Sequence, residues 1–226
     1  MSLFVSGNVD PSVIANYGFT AILILMSYGV ATWDWAAEIR WMINQGILEY
    51  YIASGSGFLP HYLGLLPMSL TWLLLVMSIN YVLLTILFKP PLITIYDPVI
   101  LLFGLLILLV VLLGYAMFLG GTMITSGTTG AIIELISFIL PIATGGLAPL
   151  SRLPEPLRIF ALYTPFSYPA EIISYSILGW KPVLDLKLMI MIGALYSTIF
   201  MALGILYFRY QLRRILREGF RATAMW

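Results

Sequence analysis

"VILLFGLLILLVVLLGYAMFL", residues 99–119, has Tyr115 as its one polar side chain. At ~1.5 Å per residue, a helix of this length covers ~30 Å, the thickness of a bilayer's hydrocarbon core. The stretch does not alternate apolar and polar residues, so it does not read as a barrel strand. It belongs to a charge-free run from Pro98 to Ile133, and three more such runs follow the same logic: Tyr50 to Phe88, Leu135 to Ser151 and Leu188 to Phe208. Across all 226 residues, 61% are hydrophobic and 9% charged, with a mean hydropathy of +1.00. A soluble domain carries roughly 25% charged residues, so this chain has too few to coat a water-facing surface. The composition therefore predicts an all-α integral membrane protein, a single transmembrane domain over residues 1–226. Helices are expected because an isolated span must satisfy its own backbone in lipid.

Several chemistries are excluded at once. There is no cysteine, hence no disulfide, thiolate zinc site or cysteine nucleophile. His61 is the only histidine, which makes a zinc site improbable. "SGSGFLPH" (54–61) invites a serine-protease reading, but an intramembrane base must reach its serine across a helix contact, and His61 lies five residues from Ser56. No G-x-x-x-x-G-K-[ST] phosphate loop occurs, so the chain holds no ATPase site of its own. No catalytic, cofactor-binding or metal residue is expected, and no nucleic-acid partner. The N-terminus has no basic residue before Arg40, unlike a signal peptide.

Five spans are predicted, at about 16–33, 61–88, 97–119, 128–148 and 187–208. The fourth has a short core, Ala131 to Thr144, and borrows residues on either side. Residues 209–226 carry five arginines and one glutamate, 5 − 1 = +4, directly after a span. By the positive-inside rule that tail is cytoplasmic. Counting back through five spans puts the N-terminus outside. The tail reads either as a topology anchor or as a site for anionic lipid.

Between the first two spans, residues 36–58 read as a cytoplasmic elbow helix at the membrane interface. At ~100° per residue, Glu38, Gln45 and Glu49 fall within about 20° of one direction, giving a polar stripe on an apolar helix. "SGSG" then breaks it and Pro60 marks entry to the next span. The elbow is either a solvated connector or a docking surface for a cytoplasmic partner. Glu134, near the inner end of the fourth span, is an interfacial acid: an anchor, or a proton or substrate ligand.

"GGLAPLSRLPEPLRIFALYTPFSYPAEII", residues 145–173, holds Pro149, Pro154, Pro156, Pro165 and Pro169. Proline inside a helix costs about 3 kcal/mol and frees carbonyls, and irregular backbone at membrane depth survives only where protein or water satisfies it. The reading is a turn at the outer interface, then a helix from Pro154 to Tyr163, a break at "TPFSYP" and a second helix in "AEIISYSILGW". Residues 149–178 form either an ordinary outer loop with two amphipathic helices or a re-entrant pair. Tyr168 and Glu171 are candidates to line an outer gate.

In order, these features resemble the permeases of type 2 (exporter) ABC transporters. That family follows a span with E-x-x-x-G-x-L-E on the cytoplasmic side, matched here at Gly46, Leu48 and Glu49. Later it has a glycine, a proline, L-P-x-x-L-R and another proline, matched at Gly146, Pro149, Leu153, Pro154, Leu157, Arg158 and Pro165. The resemblance covers residues 16 to 221 and starts at the family's second span, so the first of its six has no counterpart here. It implies a multi-pass cell-membrane subunit that pairs with itself or a sibling permease and with a cytoplasmic ABC ATPase binding ATP and Mg. It makes Glu38, Arg40, Gly46, Leu48 and Glu49 candidates for ATPase coupling. Gly146, Pro149, Leu153, Pro154, Arg158, Pro165 and Glu171 become candidates for an outer re-entrant gate. The expected activity is export of a hydrophobic or amphipathic small molecule, drug-like or lipid-like; the alternative is a stand-alone secondary transporter or channel.

Overall fold

The computed structural model describes residues 11–55, 57–91, 94–125, 129–145 and 149–218. Among them are helices and no strand. Helix α1 (Pro11–Val30) runs through a π-helical turn (Ala31–Ala36) into α2 (Ala37–Asn44), followed by α3 (Leu48–Ala53), α4 (Phe58–Leu87), α5 (Pro98–Thr125) and α6 (Thr129–Ala143). A 3-10 turn (Leu150–Arg152) leads to α7 (Glu155–Leu162), α8 (Ser167–Leu178) and α9 (Leu186–Glu218). Among the described residues, four helices are long and apolar enough to cross a membrane: Pro11–Asn44, Phe58–Leu87, Pro98–Ile124 and Leu186–Arg217. The chain is thus an all-helical protein of membrane-spanning composition.

The most apolar helix is the innermost. Half of the span window of α5 is buried, against 22% in α9 and 6% in α4. Lipid is as apolar as leucine, so hydrophobicity alone cannot draw two spans together; small residues that admit close backbone contact do. A Cβ added at Gly204 of α9 would lie 2.5 Å from the Gly114 carbonyl oxygen of α5, and one at Gly114 would lie 2.8 Å from the Met201 Cα. Gly121 meets Tyr207 and Phe208 in the same way, while Gly104 admits Ile172 and Ile173 of α8. Gly193 of α9 admits Tyr168. These glycines let α5 serve as the axis on which the π turn, α2, α8 and α9 pack.

Loop chemistry sets the helix starts. The Asp97 carboxylate accepts hydrogen bonds from the N–H groups of Val99 (2.9 Å) and Ile100 (3.0 Å), capping α5 just before Pro98 at its first position. Asp185 accepts from the Lys187 N–H (3.2 Å) ahead of α9. The Tyr96 N–H donates to the Ser176 carbonyl of α8 (2.9 Å), pinning the α4–α5 connection to that helix.

The structure departs from the sequence reading at several boundaries. The first span does not stop at Trp33: helix continues through the π turn to Asn44, placing Trp33 outward at 65% exposure and Trp35 inward at 2%. The extra residue of a π turn shifts the helical phase, which a 3.6-residue pattern does not anticipate. The elbow is two helices rather than one. Gly46 has φ = +67°, its N–H reaches the Ile43 carbonyl and the Ile47 N–H reaches that of Met42, the paired bonds of a Schellman cap. Glu38 and Glu49 therefore lie on separate helices, and the proposed stripe is not continuous. Helix α6 has 15 residues, ~22 Å of rise, short of a full span. Helix α9 runs ten residues beyond 208, to Glu218, so much of the arginine tail is helical. Helix α8 begins at Ser167, ahead of Pro169, because a first-turn N–H needs no helical partner.

The ends of the bundle are distinct. Gly120, late in α5, neighbours Ile39 of α2, Tyr62 of α4 and Phe208 of α9, whereas Gly104, early in α5, neighbours α8. The elbow helices and the arginine-bearing end of α9 thus share one end, with α7 and α8 toward the other. Replacing Gly204 with leucine is expected to cost about 1–3 kcal/mol through overpacking. It should lower the thermal midpoint in detergent, followed by tryptophan fluorescence, while exposed Leu203→Ala leaves it nearly unchanged.

Candidate functional sites at the two ends of the bundle

At the elbow end, aromatic and charged groups bolt α2 and α3 to α4 and α9. Glu38 Oε2 lies 3.3 Å from His61 Nε2. His61 Nε2 is buried and makes no hydrogen bond there. Tyr51 stands edge-on to His61 at 5.3 Å and packs on Phe58 at 4.9 Å; Phe58 meets Phe208 at 4.8 Å. Partial burial, and then the Glu38 charge, push the Tyr51 phenol up from its ordinary pKa of 10. One turn earlier, the Trp35 indole N–H donates to Ser69 Oγ (3.0 Å), whose hydroxyl donates to Asp34 Oδ2 (3.4 Å), and Trp35 stacks on Tyr62 at 6.1 Å.

The elbow candidates separate into two groups. Leu48 is buried at 1% exposure and seats α3 on the bundle, while Glu38 is drawn inward to His61. Arg40, Gly46 and Glu49 face outward. The end therefore has a packed inner layer and a charged outer one.

At the opposite end, a cavity of about 30 Å³ is lined by Tyr17, Thr144, Gly145, Pro149, Glu171 and Trp180, among others. The Tyr17 hydroxyl donates to the Gly145 carbonyl, and its ring stacks on Trp180 with centroids 5.5 Å apart. Glu171 accepts a hydrogen bond from the Val183 N–H at 3.2 Å and another from the Leu150 backbone. One carboxylate of α8 thus ties together the segment before α7 and the loop before α9. Burial raises the Glu171 pKa above the usual carboxylate range, outweighing the two backbone N–H groups that lower it.

The other candidates from the proline block serve mainly to shape this end. Pro149 lines the cavity. Leu153 is buried in a small cluster with Leu150 and Ala161. Pro154 precedes α7, and its carbonyl accepts the Arg158 N–H at 3.0 Å; Arg158 is half-buried and Pro165 lies in the α7–α8 turn. Tyr168 does not reach the cavity lining: its hydroxyl donates to the Leu162 carbonyl (2.7 Å) and its ring meets Tyr196 edge-on. Gly146 and the Glu134 side chain lie outside the described residues.

Sequence reasoning missed Tyr17 and Trp180, whose partners are distant in the chain, and it missed the core between the two ends. There the Thr32 hydroxyl donates to the Tyr28 carbonyl (2.8 Å), so the 3.1 Å contact with Tyr115 has the Tyr115 hydroxyl donating to Thr32. The rings of Tyr28 and Tyr115 both pack edge-on against Phe166, the residue before α8. The available signal was Tyr115 itself, the lone polar group in its run. Among the described residues, no group of three or more histidine, aspartate or glutamate side chains could hold a metal. Comparison of the chain with models of known families, with curated proteins and with solved structures finds no match.

A carboxyl whose folded pKa is raised binds its proton more tightly in the folded state. Its contribution to stability is full below the unfolded value of about 4.5 and is lost as pH rises through the folded one. Wild-type thermal stability should accordingly fall across that window, relative to Glu171→Gln. Parallel melting profiles for the two proteins from pH 4 to 8 would show that Glu171 does not titrate there.

Proposed function

We propose that this chain is the membrane-spanning permease subunit of an ATP-driven exporter of the ABC type 2 class, moving a hydrophobic or amphipathic small molecule by alternating access. The observation that carries the reading is the placement of its two family-like blocks. The stretch around Gly46, Leu48 and Glu49 shares the end of the bundle that bears the arginines of α9, while the proline-bearing block builds the opposite end. That is the division of labour an ATPase-coupled permease needs, with a coupling surface on one side of the membrane and a closure on the other.

Chain continuity supports a fifth crossing. Helix α5 finishes at the elbow end, yet Gly145 reaches Tyr17 at the far end, and the short α6 lies between them in the chain. With the arginine-rich end cytoplasmic, the N-terminal start of α1 faces outward, and α7 and α8 form a re-entrant pair at the outer face. The scarcely buried α4 offers a flank for a second permease chain, and a separate polypeptide supplies ATP hydrolysis.

A stand-alone carrier is the second reading, favoured by one observation: Glu171 is a protonatable carboxyl on a cavity at the outer end. The two readings part on the ATPase. For the exporter, an ABC ATPase co-purifies with the native protein, and Glu49→Ala lowers cargo-stimulated ATP hydrolysis without blocking membrane insertion. The expected loss is roughly twofold to fivefold, the factor carried by one solvent-exposed ion pair. Transport by the purified chain alone would support the carrier instead.

A further inference from the structure

A second, larger concavity lies at the elbow end. It holds about 400 Å³ between the first turn of α4 and the inner part of α9, and its walls include Ile52, Phe58, Leu59, Ile205 and Leu212. This volume falls within the roughly 300–1,000 Å³ of small-ligand sites, and the walls are predominantly apolar. One charge stands on the lining, Arg209. Among the described residues it pairs with no carboxylate, and Glu38, the acid of the neighbouring α2, stands beside His61 instead. Arg213 follows one turn later on α9 and is exposed. The groove also opens on the start of α4, where Gly57 supplies no side-chain cap and the helix dipole presents its positive end.

We propose that this groove is a binding site for one anionic phospholipid, with an acyl chain along Phe58, Ile205 and Leu212 and the phosphate at Arg209. The apolar walls select for a hydrocarbon occupant, and the uncompensated guanidinium at the rim selects for an anionic headgroup over a zwitterionic one. Arginine suits the role because its planar fork meets phosphate oxygens in a bidentate way. A lipid seated there touches α3, α4 and α9 together, so it holds the elbow against the bundle. The site stands independently of the transport reading.

The test uses the full chain in nanodiscs of phosphatidylcholine with increasing phosphatidylglycerol, counting retained lipid by native mass spectrometry. The expected result is one saturable phosphatidylglycerol per chain. Arg209→Gln should reduce the preference over phosphatidylcholine by about fivefold, the factor carried by one basic residue at an anionic surface. Arg217→Gln makes the same change in net charge farther along α9 and should leave the preference intact. Ile205→Trp should displace the lipid altogether, and Arg209→Gln serves independently if that variant does not fold. Equal losses in Arg209→Gln and Arg217→Gln would overturn the site in favour of a diffuse basic surface. Retention that is non-saturable or indifferent to headgroup would also overturn it. So would a groove filled by residues 219–226 or by a second copy, in which case wild type binds no phosphatidylglycerol until the tail is removed or the copies are separated.

Discussion

The rest of this structure depends on how closely α5 and α9 approach. A span as apolar as residues 99–119 gains nothing from leaving lipid for another apolar surface, so its partners must offer better packing than acyl chains do. Gly114 and Gly204 meet that need by letting backbone touch backbone, and Gly104 and Gly193 extend the same contact to α8. Once α5 and α9 are locked, the position of α8 follows, and with it Glu171, Tyr168 and Phe166. Without the glycines, the α5 and α9 axes would separate and the groove at the elbow end would lose the wall that Met117 and Ile205 build together.

Several buried polar groups of this bundle are shared between helices. Thr32 answers Tyr115, Trp35 and Asp34 meet at Ser69, and Glu38 faces His61. In each case α1, its π turn or α2 is fastened to α4 or α5 by a contact that lipid could not replace. The π turn is what brings Thr32 and Trp35 to bear on different neighbours from adjacent turns of one continuous helix. The same logic operates at the far end, where Glu171 gathers two loops that would otherwise depend on their prolines alone for shape.

Much of this organisation was legible in the residues. The long helices, the break before α4, the pair of short helices after Pro154 and the clustering of arginine after the last span all follow from charge-free runs, proline and glycine. The errors fell where tertiary context overrode local pattern. Trp33 looked like the end of a span, but packing of Trp35 against Tyr62 and Ser69 carries the helix past it. Glu38 and Glu49 shared a direction on an ideal helix, but the left-handed Gly46 divides it. Among the site candidates, Glu171 proved to occupy a cavity, whereas Tyr168 turned to the α7 carbonyl and the α9 surface.

The sequence by itself determined the solvent and the secondary structure. Hydrocarbon tolerates no unpaired backbone, so a chain with these runs and so few charges must form helices in a membrane. Tertiary structure alone decided which polar groups meet. Tyr17 reaching Gly145, Glu171 reaching Val183, and Arg209 standing over an apolar groove are contacts between segments brought together by helix packing, and no periodicity within one segment encodes them. That packing in turn rests on glycines whose role is visible only once the helix facing them is in place.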